Sequence, residues 1–115
     1  MTNLTQAFSA SGQTVLNASG TGSVTLRPHG CDWIITTSTV QTSTSVKQPT
    51  ATITIGGNFV GGSQSGAFDS ASGGRDLAPN GSHVTCTWTG GDSGATATFY
   101  ISGIQTISGQ AAGLL

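Results

Sequence analysis

The sequence predicts an all-β chain that folds as a single β-sandwich, jelly-roll or immunoglobulin-like, of seven to eight short antiparallel strands. Short segments alternate apolar and polar residues with a period of two, and clusters of Gly, Pro, Asn and Asp separate them. Charged residues make up only 6% of the chain, whereas Thr, Val and Ile are frequent, which favours strands whose solvated faces carry hydroxyls. A chain of 115 residues forms one domain and buries a core without needing disulfides.

The first 44 residues contain three candidate strands, preceded by an N-terminal arm or edge strand. Residues 1–12 alternate weakly, which predicts an N-terminal arm or edge strand that packs on a neighbouring subunit, while residues 13–115 form the sandwich. Segments 13–19 and 22–28 are short strands around a Gly turn. In segment 31–44, Trp33 shares a face with Cys31, and Val40 points the other way. A strand that is apolar on both faces is expected at the centre of its sheet.

The middle of the chain is poorer in strand signals. Segment 51–55 alternates and stops at a Gly-Gly pair, and a short strand or bend follows from Asn58. Residues 63–81 are rich in Gly, Ser, Asp and Asn, and we expect a long loop there. Long loops inside compact domains are often interaction sites.

Residues 80–107 carry the clearest pattern in the chain. Two alternating runs, 84–89 and 95–101, flank a Gly/Asp-rich segment. Two such runs joined by a short polar loop predict a β-hairpin with one apolar face and one threonine-rich face.

Charge and hydropathy bear on the partners. Three Lys or Arg against four Asp give a net charge of −1, so there is no basic surface for nucleic acid. The N-terminus has no signal-peptide pattern, and no segment reaches the roughly 20 apolar residues of a membrane span. We therefore expect synthesis in the cytoplasm and no membrane partner.

The residues indicate no catalytic site. Gly91-Asp92-Ser93-Gly94 matches the segment around the nucleophile of chymotrypsin-like proteases, and His29 precedes it. Those enzymes need two barrels and about twice this length, however. Asp-Ser-Gly between two strands is ordinary turn chemistry, so we expect no enzyme.

Cofactor and metal sites are not indicated either. Cys31 and Cys86 lack a CxxC spacing; they are either two buried thiols, which a cytoplasmic chain favours, or a disulfide formed after release from the cell. His29 and His83 are expected at the surface. Asp69, Asp76 and Asp92 lie in Gly-rich segments without calcium-loop spacing and are expected to cap turns.

Aromatic residues offer one candidate contact. Trp33 and Trp88 share strand faces with the cysteines and are expected in the core. Tyr100 lies on the hydroxyl face of its run and is the candidate exposed aromatic, in a position to contact a sugar ring.

The sequence also resembles a known class of proteins. A Trp-Ile-Ile-Thr-Thr strand, a Gly-Gly-Ser-Gln-Ser-Gly-Ala-Phe-Asp-Ser segment and the run Val-Thr-Cys-Thr-Trp-Thr-Gly-Gly-Asp-Ser-Gly-Ala-Thr-Ala-Thr together resemble small virion proteins of actinobacterial tailed phages over residues 13–107. The resemblance implies a β-sandwich that decorates the head or builds tail-surface parts, located in the virion and bound to other virion proteins as a homo-oligomer or repeated assembly. It carries no site residues. A glycan- or receptor-binding module on a tail tip or a secreted protein is the alternative.

Overall fold

The computed structural model describes residues 4–43, 46–65 and 68–107, and these residues form eight β-strands. In chain order the strands are β1 (Leu4–Val15), β2 (Gly22–Leu26), β3 (Asp32–Thr42), β4 (Thr50–Ile55), β5 (Asn58–Ser65), β6 (Phe68–Ala78), β7 (Val84–Thr89) and β8 (Thr96–Ile107). Within these ranges there is no helix long and apolar enough to cross a membrane.

The strands form two four-stranded antiparallel sheets. Sheet A has the order β1-β8-β3-β6, and sheet B has the order β2-β7-β4-β5. Strand 1 therefore pairs with 8, 2 with 7, 3 with 6 and 4 with 5. This is the pairing of one long hairpin rolled into a sandwich, which is the jelly-roll arrangement of two Greek keys. The predicted β-sandwich is confirmed, and the strand order selects the jelly roll over the immunoglobulin-like alternative.

The two arms of this rolled hairpin, β1 to β4 and β5 to β8, remain hydrogen-bonded to each other where they cross between the sheets. Leu16 N donates to Ala95 O (2.9 Å) and Gly91 N donates to Gly20 O (3.0 Å), which joins the β1–β2 and β7–β8 connections. At the opposite end, Gly81 N donates to Pro28 O (3.0 Å). These corners satisfy backbone groups that would otherwise lose partners when the chain leaves a sheet.

The tip of the rolled hairpin is the β4–β5 turn. Gly56 and Gly57 have φ values of 59° and 85°, and positive φ at both central residues defines the type I′ turn that matches strand twist. The predicted stop at this Gly-Gly pair is confirmed.

The core lies between the sheets. Alternate side chains of β3 and β8 in sheet A face alternate side chains of β4 and β7 in sheet B, and the largest fully buried ones in these strands are Trp88, Phe99, Ile101, Val40 and Val84. Leu16 of the β1–β2 connection is also fully buried. Trp33 is also buried, so the prediction that both tryptophans belong to the core is confirmed. Phe8 of β1 stacks on Trp33, with ring centroids 4.7 Å apart and planes 10° apart.

The prediction that Val40 points away from the face of Trp33 is wrong, because β3 contains a bulge. The register of β3 shifts between Ile35 and Thr37 against both neighbouring strands, so one extra residue reverses the alternation. Val40 consequently points into the core with Trp33 rather than away from it. The predicted central position of the strand is correct, because β3 lies between β8 and β6.

The predicted hairpin of residues 80–107 is wrong in its pairing. β7 and β8 form at the expected residues, but β7 lies in sheet B and β8 in sheet A. Their apolar faces meet the same core from opposite sides, and residues 90–95 cross between the sheets instead of forming a hairpin loop.

The predicted loop of residues 63–81 is also wrong. Most of that segment is the end of β5 and all of β6. Backbone pairing with β3 overrides the weak strand preference of Gly, Ser and Asp.

Candidate interaction surface

The outer faces of both sheets are covered mainly by hydroxyls. On sheet B the register aligns Thr25, Thr85 and Thr54 in one row across three strands, and Ser23, Thr87 and Thr52 in the next. Thr25 Oγ1 and Thr85 Oγ1 lie 3.0 Å apart in a hydrogen bond. The alternation of threonines predicts a hydroxyl-covered face from the sequence. Which threonines lie side by side across strands depends on the strand order, which the sequence does not show.

Tyr100 lies on the outer face of sheet A, where its side chain is 41% exposed. It pairs with Thr39 of β3 and Ser11 of β1, so hydroxyl groups flank the ring. Among the aromatic side chains that the structure describes, it is the one in the exposed class. Such a ring can stack on one sugar unit while the neighbouring hydroxyl groups form hydrogen bonds with the sugar.

An apolar row crosses the same outer face nearer the chain termini. Register pairs link Leu77 to Ile34, Ile34 to Ile104, and Ile104 to Ala7, so the row spans all four strands of sheet A. Leu77 is 58% exposed and Ile104 is 37% exposed. Sequence reasoning missed this row because its members are far apart in the chain.

A groove with both apolar and polar side chains lies between the β4–β5 turn and β6. It has a volume of about 450 Å³, and its lining includes Asn58, Arg75, Asp76 and Ser82. Two of the seven charged residues of the chain therefore line one open groove. The groove is wide and shallow, which suits a surface contact better than an enclosed small molecule.

Cys31 and Cys86 are free buried thiols in the structure. Cys31 Sγ donates to Gln105 Oε1 (3.7 Å). Burial raises the pKa of Cys86 from 9.0 to about 12, which keeps the thiol protonated and unreactive at neutral pH. Both positions fit small core side chains.

His29 and Ser93 of the protease-like pattern are not brought together within the described part of the chain. His29 and His83 are exposed, as expected. The strands run antiparallel, so the β2–β3 connection with His29 lies at the opposite end of the sandwich from Ser93 in the β7–β8 connection. No group of three His, Cys, Asp or Glu within the described ranges is placed to hold a metal ion.

Asp92 has a structural role in the Gly-Asp-Ser-Gly segment. Its carboxylate accepts hydrogen bonds from the backbone N–H groups of Val46 (2.9 Å) and Lys47 (3.1 Å). Asp32 likewise accepts from Asn80 N (2.8 Å). These aspartates fix connections at the two ends of the sandwich, in keeping with turn chemistry.

Residues 4–15 form an edge strand and not a detached arm. All twelve residues of β1 pair with β8 in an unbroken register, and the strand continues across the expected boundary between residues 12 and 13. Because β1 pairs with β8 and carries Phe8 against the core, it is an integral strand of the sandwich.

No protein-family model and no curated protein matches this chain in comparisons of its sequence.

Proposed function

We propose that this chain is a non-enzymatic structural protein of a tailed-phage virion, a decoration or minor capsid subunit that binds other virion proteins. The observation that carries the proposal is the jelly-roll strand order of a small, nearly uncharged sandwich. Jelly rolls are a recurrent architecture of viral capsid proteins and of lectins.

The corners of the sandwich support a scaffolding role. Hydrogen bonds join the two arms of the rolled hairpin where they pass between the sheets. The carboxylates of Asp92 and Asp32 accept further backbone hydrogen bonds that hold the connections between strands. A subunit on a particle surface needs a rigid body whose outer surfaces face its neighbours, and rigid presentation lowers the entropic cost of association.

The two segments that the sequence suggested for contact with neighbours lie at the edges of sheet A in the structure. The N-terminal segment and residues 68–78 are edge strands of sheet A, so they would meet neighbours through strand edges and not as flexible loops. The apolar row that ends at Ala7 lies beside one of these edges.

Quantitative mass spectrometry of purified virions tests the proposal. The chain is measured in particles of the phage whose genome encodes it, and its copy number is scaled to that of the major capsid protein. We expect a copy number comparable to that protein for a head decoration subunit, or a few copies for a tail part. Absence from clean virions would refute a structural role.

A glycan-binding module is the second candidate, and the exposed ring of Tyr100 among hydroxyls favours it. Titration calorimetry with host cell-wall glycans is the measurement. Loss of binding in Tyr100→Ala with retention in Tyr100→Phe would support stacking on the ring, because Phe keeps the ring and removes only the hydroxyl. Binding that survives Tyr100→Ala would remove this site.

A further inference from the structure

The outer edge of β1 differs from every other sheet edge in the described fold. An edge strand exposes unpaired backbone N–H and C=O groups, and natural proteins block such edges with charges, proline, bulges or shortness. β1 is twelve residues long, contains no charged residue and no proline, and keeps an unbroken register with β8.

The other three edges carry such blocking features. β6 contains Arg75 and two aspartates, and its register with β3 is interrupted opposite residue 36. β5 has an irregular register with β4. β2 is five residues long and is followed by Arg27 and Pro28. Since the fold protects three edges and leaves one open, the open edge is suited to pairing.

We propose that β1 pairs antiparallel with β1 of a second copy of this chain, joining two A sheets into one eight-stranded sheet. A two-fold axis perpendicular to the sheet reverses the strand direction and keeps outer face beside outer face. Alternate backbone groups of β1 point away from β8, and the second copy supplies their hydrogen-bond partners.

Three observations favour a second copy as the partner. β1 has no charge, so the symmetric approach of two copies meets no like-charge repulsion. Phe8 lies on the inner face at this edge and is only half-buried, so the partner's β1 would cover it. The apolar row from Leu77 to Ala7 ends at the same edge and would continue into the row of the partner.

Sedimentation velocity of the full chain tests the pairing with two matched variants. Ser9 and Ser23 are exposed serines on edge strands of different sheets. Ser9→Lys places a charge on the open edge, where two copies bring the charges together, whereas Ser23→Lys places the same charge on β2. Far-UV circular dichroism at low concentration checks that both variants fold.

We expect the wild-type chain to pass from monomer to dimer between about 1 µM and about 1 mM, since an edge-to-edge interface is small. Ser9→Lys should raise the dissociation constant at least about tenfold, and Ser23→Lys should leave it unchanged. A wild-type chain that stays monomeric throughout, or two variants that behave alike, would overturn the inference.

Amide hydrogen exchange of the wild-type chain gives a readout that needs no variant. Exchange of alternate β1 amides should slow as concentration rises, while exchange in β2 stays constant. A dimer that forms without added protection in β1 would also overturn the inference. Pairing of β1 with a second copy is independent of a location in the virion, so a monomeric chain would leave the virion proposal standing.

Discussion

Replacing Gly20 by alanine should destabilise the fold far more than the same change at Gly30, although both glycines have a φ of 72°. Alanine at that φ costs about 1 kcal/mol at either position. At Gly30 an added Cβ meets nothing within 4 Å, whereas at Gly20 it would lie 2.0 Å from the carbonyl oxygen of Gly91. Comparing the two variants therefore separates the cost of the positive φ, which both share, from the cost of the steric contact between the β1–β2 and β7–β8 connections, which only Gly20→Ala has.

The expected difference follows from that contact. A Cβ rarely approaches an oxygen closer than 3.0 Å, so the two connections must move apart by about 1 Å (3.0 − 2.0). Such a shift breaks the hydrogen bond from Gly91 N to Gly20 O, which is 3.0 Å long. Overpacking and the lost bond together cost about 2 to 4 kcal/mol. Gly20→Ala should lose about 3 to 5 kcal/mol in total, against about 1 kcal/mol for Gly30→Ala.

Urea and thermal unfolding followed by circular dichroism measure both variants. For a chain of this size the losses correspond to a drop in Tm of about 12 to 20 °C for Gly20→Ala and about 4 °C for Gly30→Ala. Equal losses, within about 0.5 kcal/mol, would show that the β1–β2 and β7–β8 connections are not in contact and would refute the paired corner.

Three other perturbations test separate parts of the fold. Thr42 Oγ1 is buried and has no hydrogen-bond partner among the described residues, so Thr42→Val should raise the free energy of unfolding by about 1 kcal/mol in urea titrations. Thr36→Val removes a donor to Ser102 O and should lower the free energy of unfolding by about 1 kcal/mol. Burial raises the pKa of Cys86 from 9.0 to about 12, so the unfolded chain loses this proton at a lower pH than the folded chain. The free energy of unfolding should therefore fall as pH rises from 9.0 to about 12. Cys86→Ala should make the free energy of unfolding less dependent on pH in this range, and an unchanged slope would count against a buried thiol. Asp92→Ala should lower stability by about 1 to 3 kcal/mol because two backbone N–H groups lose their acceptor, and a neutral change in thermal unfolding would contradict that role.

Local patterns in the sequence identify the strands well where one face is apolar and the other hydroxylated. The alternation around Trp88 and Phe99 predicts β7 and β8 correctly, because each strand has one face on the core. Pairing between strands is not contained in that alternation. A Gly/Asp segment fits a hairpin loop and a crossing between sheets equally well, and the choice depends on long-range contacts such as the one between Gly20 and Gly91.

The bulge in β3 and the strand β6 could not be predicted from the sequence, for physical reasons. The bulge at Thr36 reverses the faces of β3, and its partner residue on β8 is Gly103, where an added Cβ would lie 2.0 Å from the carbonyl oxygen of Ile34. An isolated Gly in a strand hints at close backbone approach but does not reveal the partner. β6 forms from Gly, Ser and Asp because β3 offers it hydrogen bonds, which no local preference encodes.

The candidate surface was predicted only in part. The exposure of Tyr100 follows from its place in the β8 alternation. The apolar row and the groove beside β6 combine residues from different strands, such as Leu77 with Ile34 and Arg75 with Asn58. These combinations require the strand order and therefore could not be obtained from the sequence.

Immunogold labelling of purified phage is the decisive test of the proposed virion role. The Gly56–Gly57 turn is exposed, and added atoms there meet no neighbour within 4 Å, so a short epitope inserted at this turn should be tolerated. Phage carrying the tagged gene would be purified and viewed by electron microscopy after labelling with gold-conjugated antibody. We expect gold on intact virions, on the head for a decoration subunit. Gold absent from virions, with the tagged chain folded and present only in the free lysate fraction, would contradict it.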